Sequence, residues 1–137
     1  MKTINALKIF LSSLLMLSVL SSCEDENEPN YEFFLIEVDN IQVPENISIT
    51  EPFDISFSGT IGGNGCYQFS RFDTGQLGND IIIKAWGKFN KSQRLCTSVI
   101  VSLDNEKLTY QIDEEGTYTI KVLQPDNSFL EKQISVE

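Results

Sequence analysis

Glu114-Glu115-Gly116-Thr117-Tyr118-Thr119-Ile120-Lys121-Val122 is the stretch whose reading decides the fold. Past the glycine the residues alternate strictly. Tyr118, Ile120 and Val122 fall on one face, Thr117, Thr119 and Lys121 on the other. A period of two with β-branched and aromatic residues on the apolar face is the pattern of a half-buried strand. Pro125-Asp126-Asn127 then supplies turn chemistry, and Leu130, Ile134 and Val136 mark a second apolar-faced strand. Residues 116–136 therefore predict a β-hairpin.

Working outward, the same grammar repeats. Phe33 to Val38, Ile41 to Val43 and a short piece at Ile47 to Thr50 read as strands broken by Asp39-Asn40 and Pro44-Glu45-Asn46. Phe53, Ile55 and Phe57 alternate after Pro52. Gly59 to Gly65 reads as a turn, Cys66 to Phe72 as a strand, and Asp73 to Asn79, with Gly75 and Gly78, as another turn. In Ile81 to Phe89, Ile81, Ile83, Ala85, Gly87 and Phe89 share one face, and Ile82, Lys84, Trp86 and Lys88 the other. Leu95 to Leu103 is expected to be a strand with Val99, Val101 and Leu103 inward, followed by a turn at Asp104-Asn105-Glu106 and the alternating Leu108, Tyr110 and Ile112. Seven to eight strands with turn signals about every 8–12 residues predict an all-β sandwich rather than a closed barrel. No amphipathic helix, internal repeat or low-complexity segment is apparent in this region.

The segment acid-x-Gly-x-Tyr, here Glu114 to Tyr118, resembles the tyrosine corner of immunoglobulin-like domains. That resemblance implies an immunoglobulin-like β-sandwich in which the Tyr118 hydroxyl bonds back to the corner backbone. The family prefers Asp where this chain has Glu114. Residues 41–136 also resemble small immunoglobulin-like lipoproteins of Bacteroidota, through Gly65-Cys66-Tyr67, Cys96 and Gly116-Thr117-Tyr118. No reaction comes with the likeness.

The N-terminal residues have the layout of a secretory signal peptide. Lys2 and Lys8 are its basic end, and Ile9 to Leu20 an apolar run too short for a comfortable membrane span of about 20 residues. Leu20-Ser21-Ser22-Cys23 resembles the lipobox of bacterial lipoproteins. The resemblance implies diacylglycerol on the Cys23 thiol, cleavage before Cys23 and acylation of the new amine. The expected division is a signal peptide over 1–22, lipidated Cys23 and an acidic tether over 23–30, and a domain over 31–137. The stretch 24–30, Glu-Asp-Glu-Asn-Glu-Pro-Asn, has the composition of a solvated tether. It also resembles the export signal of Bacteroidota surface lipoproteins, which implies an outer-membrane lipoprotein facing the cell surface. A periplasm-facing location is the alternative.

With Cys23 lipidated, Cys66 and Cys96 remain in an oxidising compartment, where a disulfide is expected. They are not spaced like the inter-sheet pair of antibody domains, because Cys96 precedes the tyrosine corner. A free catalytic thiol would lack a base, since the chain has no His.

Twenty Asp and Glu against ten Lys and Arg give a net charge of −10, and loss of Lys2 and Lys8 makes it −12. Such a chain has no general surface for nucleic-acid phosphates. The absence of His removes His-based triads and the commonest zinc patterns. Gly62-Gly63-Asn64-Gly65 lacks the Lys-Ser/Thr of a phosphate loop, and Asp113, Glu114 and Glu115 lack the alternating spacing of a calcium loop. No catalytic residue, metal site or cofactor is expected.

One constellation remains. Trp86 is the only Trp and shares its face with Lys84 and Lys88, with Arg71 on the preceding strand. Residues 71–94 hold five basic and two acidic residues in an otherwise acidic chain. An exposed aromatic among cations suits a glycan or an acidic protein. In the competing arrangement the faces are reversed, Trp86 is core and the lysines snorkel past it. The expected function is a non-enzymatic binding or adhesion module held to the envelope membrane by acyl chains on Cys23. An accessory subunit of an envelope assembly, or a protease inhibitor presenting residues 59–65 or 90–94, are the alternatives.

Overall fold

The computed structural model describes residues 29–104 and 106–137. The segment 1–22, Cys23 and the tether through Glu28 lie outside the described residues, as does Asn105 of the expected turn. Ten strands follow one another: β1 (Tyr31–Leu35), β2 (Asn40–Gln42), β3 (Phe53–Ser58), β4 (Thr60–Gly62), β5 (Tyr67–Leu77), β6 (Asp80–Asn90), β7 (Val101–Ser102), β8 (Lys107–Tyr110), β9 (Gly116–Leu123) and β10 (Phe129–Val136). The domain is all-β, a sandwich as expected, with ten strands in place of seven or eight. One strand was not expected: β4 (Thr60–Gly62) lies within the stretch Gly59 to Gly65 read as a turn, where it pairs with β7.

The larger sheet is built on β6. β5 pairs with its whole length on one edge. The opposite edge is shared: β1 pairs antiparallel with residues 86–90, and β9 pairs parallel with residues 80–83. β10 closes the sheet beside β9. The second layer is β2-β3-β8, with the small pair β4-β7 at one end. Between the layers lie Ile36, Ile55, Ile81, Ile83, Leu103, Ile120, Val122 and Val136, all essentially without solvent contact. Phe57 of β3 stacks on Phe72 of β5 across the sandwich, ring centroids 4.6 Å apart. Burying side chains of this size stabilises by about 1.5–3 kcal/mol each against exposure.

The hairpin that decides the fold forms as read. β9 and β10 pair in register from Gly116↔Val136 to Leu123↔Phe129. Tyr118, Ile120 and Val122 are buried, and Asn127 takes the positive φ of the turn (66°). The Tyr118 hydroxyl donates to the Glu114 carbonyl at 3.1 Å, so the corner has the expected tie.

Three expectations are corrected. Asp73 to Asn79 is not a turn: β5 runs straight through to Leu77 and the turn is Gly78-Asn79 alone. Gly78 has φ 59°, which is what a two-residue hairpin with glycine at its first central position asks for. Gly75 is an ordinary strand position. Second, residues 95–100 form no strand, and Val99 is half exposed rather than inward; only Val101–Ser102 pairs, with β4. Leu103 is inward as expected. Third, Ile47 to Thr50 contributes a single bridge, Ile47↔Val136, before Thr50 turns at φ 64°.

Candidate functional site

The two faces of β6 are as different as the alternation requires. Ile81, Ile83 and Ala85 are fully buried, while Lys84, Trp86 and Lys88 lie half-buried on the outer face. Trp86 is therefore not core, and the reversed arrangement does not occur. Gly87 faces inward beneath the Phe34 ring, where a Cβ would collide with it.

Cross-strand pairing assembles the neighbours. Trp86 stands opposite Leu35 of β1 on one side and Arg71 of β5 on the other. Phe33 pairs with Lys88, and Asp73 with Lys84. Paired residues share a face, so Phe33, Leu35, Arg71, Asp73, Lys84, Trp86 and Lys88 form one outer surface. A bulge at Ser70, between Phe69↔Gly87 and Arg71↔Trp86, makes this possible. Regular alternation from the inward-facing Phe69 would carry Arg71 to the core side; the bulge shifts the register by one residue and sets it on the outer face.

Asp73 is the hub. Its Oδ2 accepts the Trp86 indole N–H at 2.7 Å, and its Oδ1 accepts the Arg71 Nε–H at 2.9 Å. The Arg71 guanidinium holds the Asp73 carboxyl below its ordinary value; partial burial opposes this, and the indole N–H and Lys84 add to the lowering. Arg71 also lies 5.5 Å from the Trp86 ring and 5.8 Å from the Phe33 ring, within cation–π range of both. Lys88 Nζ sits 4.6 Å from the Tyr31 ring. The surface is thus an array of rings and cations carrying three positive groups and one carboxylate.

The four residues expected to form this site, Arg71, Lys84, Trp86 and Lys88, are brought together. Asp73 was missed because it was assigned to a turn; an acid two residues from Arg71 in a continuing strand was the available signal. Tyr31 and Phe33 were missed because only the register of β1 against β6 places them here.

At the end of the sandwich, Cys66 and Cys96 form the expected disulfide, with Cα atoms 5.3 Å apart. Among the described residues no three His, Cys, Asp or Glu side chains are grouped as metal ligands. No described helix is long and apolar enough to cross a membrane.

The architecture is that of a small β-sandwich with an aromatic and cationic outer face. Residues 56–136, more than half of the chain, match the ORF11 beta-sandwich domain family, and the chain belongs to that family. No curated protein and no solved structure matches it.

Proposed function

We propose that the protein is a bacterial lipoprotein, of the kind found on the surface of Bacteroidota, whose sandwich serves as a non-enzymatic binding or adhesion module. Acyl chains on Cys23 hold it in the outer membrane, and the domain faces outward. The observation that carries the binding role is the outer face of β6. There Trp86 stands partly buried between Arg71 and Leu35, flanked by Lys84 and Lys88. An aromatic platform ringed by cations, in a chain with net charge −10, is complementary to an anionic glycan or an acidic protein surface.

Trp86, the only Trp, reports on this directly. Titrating the protein with acidic polysaccharides and acidic proteins should shift its emission in a saturable way. Trp86→Ala should abolish binding and leave the melting temperature within a few degrees. A panel of such ligands that leaves the emission unchanged would end this reading.

A further inference from the structure

Residues 91–100 lie at the end of the sandwich where the chain enters from its N-terminal side. Asn30 is fastened to this loop twice: its carbonyl accepts the Lys91 N–H at 2.8 Å, and its own N–H donates to Ser92 Oγ at 2.9 Å. Lys91 Nζ also pairs with Glu32 at 2.8 Å. The far side of the loop is held by the Cys66–Cys96 bridge and by Gly65 N–H donating to the Thr97 carbonyl at 2.9 Å. The loop is therefore a fixed feature of the domain, attached to the point from which the tether departs.

Its side chains are unlike the rest of the surface. Leu95 is 87% exposed, Ile100 72% and Val99 50%. These are three of the seven exposed large apolar side chains among the described residues, and they fall within six positions. The charge is also singular. From Ile81 to Leu103 there is no Asp or Glu, while Lys84, Lys88, Lys91 and Arg94 all occur. Arg94 makes no ion pair among the described residues.

Asn30 is the seventh residue after Cys23, a reach of at most about 25 Å when fully extended. We infer that the 91–100 loop docks on the lipid surface in which Cys23 is anchored, with Leu95, Val99 and Ile100 entering the headgroup–acyl boundary and Arg94 meeting lipid phosphate. This rests on the lipid anchor proposed above. Apolar side chains flanked by cations are the equipment of a segment that lies in the membrane interface. The acyl chains supply attachment; the loop fixes orientation, with β6's outer face held alongside rather than against the bilayer.

The test uses the full mature chain, purified from membranes with its lipid and placed in vesicles of phosphatidylethanolamine and phosphatidylglycerol. Leu95→Trp in a Trp86→Phe background makes the loop carry the sole indole, and Ile100→Trp in the same background is the second reporter should the first misfold. Vesicles with acyl-chain-brominated lipid should quench either reporter by roughly twofold or more, since an interfacial side chain lies about 5–10 Å deep. Quenching no greater than that of Trp86 in the unaltered protein would overturn the inference. Protection from aqueous acrylamide without quenching by bromine would also overturn it, and would assign the loop to a protein partner or a second copy. Labelling Cys23 with radioactive palmitate, with Cys23→Ser as control, separates the two ideas. A labelled but unquenched protein refutes loop docking alone, whereas an unlabelled one removes the anchor and the docking with it.

Discussion

Ile81-Ile82-Ile83 and Val99-Ile100-Val101 are nearly the same tripeptide in chemistry, yet one is the centre of the molecule and the other hangs in solvent. Ile81 and Ile83 are fully buried; Val99 and Ile100 are half or more exposed. The local preference of both is for strand. The difference is in the partners. The backbone of residues 81–83 is paired on both edges, by β5 and by the parallel β9. Residues 99 and 100 have no ladder partner; pairing with the short β4 starts only at Val101. A strand is a property of its neighbours as much as of its own residues.

That contrast can be broken from its buried side first. Ile83→Ala should cost about 4 kcal/mol of unfolding free energy, because a cavity opened between two paired neighbours cannot collapse. Chemical denaturation would measure it, and a loss below about 1 kcal/mol would mean the core at β6 is loosely packed. Removing the bridge that holds the other region, with Cys66→Ala and Cys96→Ala together, should cost about 3.5 kcal/mol for a loop of 30 residues. In that variant amide exchange should speed up over residues 91–100 and leave 81–83 protected. Uniform acceleration across both segments would contradict the independence argued here.

Tyr118→Phe tests the corner from which β9 starts its parallel pairing with β6. It should cost about 1 kcal/mol, the net value of one side-chain hydrogen bond to a backbone carbonyl. Val99→Ser and Ile100→Ser should each change stability by less than about 0.5 kcal/mol, since neither side chain is buried. A larger loss would show that the loop packs on the domain.

The finest comparison lies between the two faces of β6 and is read by pH. Asp73 has its carboxyl lowered from 3.8, chiefly by Arg71. A lowered folded value stabilises above the unfolded value and is lost as pH falls through the folded one. The Trp86 emission should therefore stay constant from neutrality down to the ordinary carboxylate range and shift only below it. Asp73→Asn should remove that acid step, and a step that survives the substitution would assign it elsewhere.

Much of this was legible in residues alone. The alternation in 117–122, 53–57 and 81–89 named the inward side chains, because burial of one sheet face imposes a period of two whatever the topology. The expected pairing of Cys66 with Cys96 rested on the proposed lipidation of Cys23, and the bridge between them forms in the domain. The turn at Pro125-Asp126-Asn127 and the tie from Tyr118 rest on local geometry that the residue types themselves impose. The same alternation set Trp86 opposite Ile81, Ile83 and Ala85 but left open which of the two faces was the core; their burial in the assembled sandwich decides it.

Three things waited for the assembled chain. Whether Asp73 to Leu77 turned or ran on depended on β6 being long enough to pair it, which no feature of those five residues states. Whether 95–100 became a strand depended on a pairing partner, and only Val101–Ser102 meets one, the three-residue β4. The neighbours of Trp86, namely Leu35, Phe33 and Asp73, were decided by register and by the bulge at Ser70. Alternation says which way a side chain points and is silent on what stands beside it, because hydrogen-bonded ladders join residues that are distant in sequence.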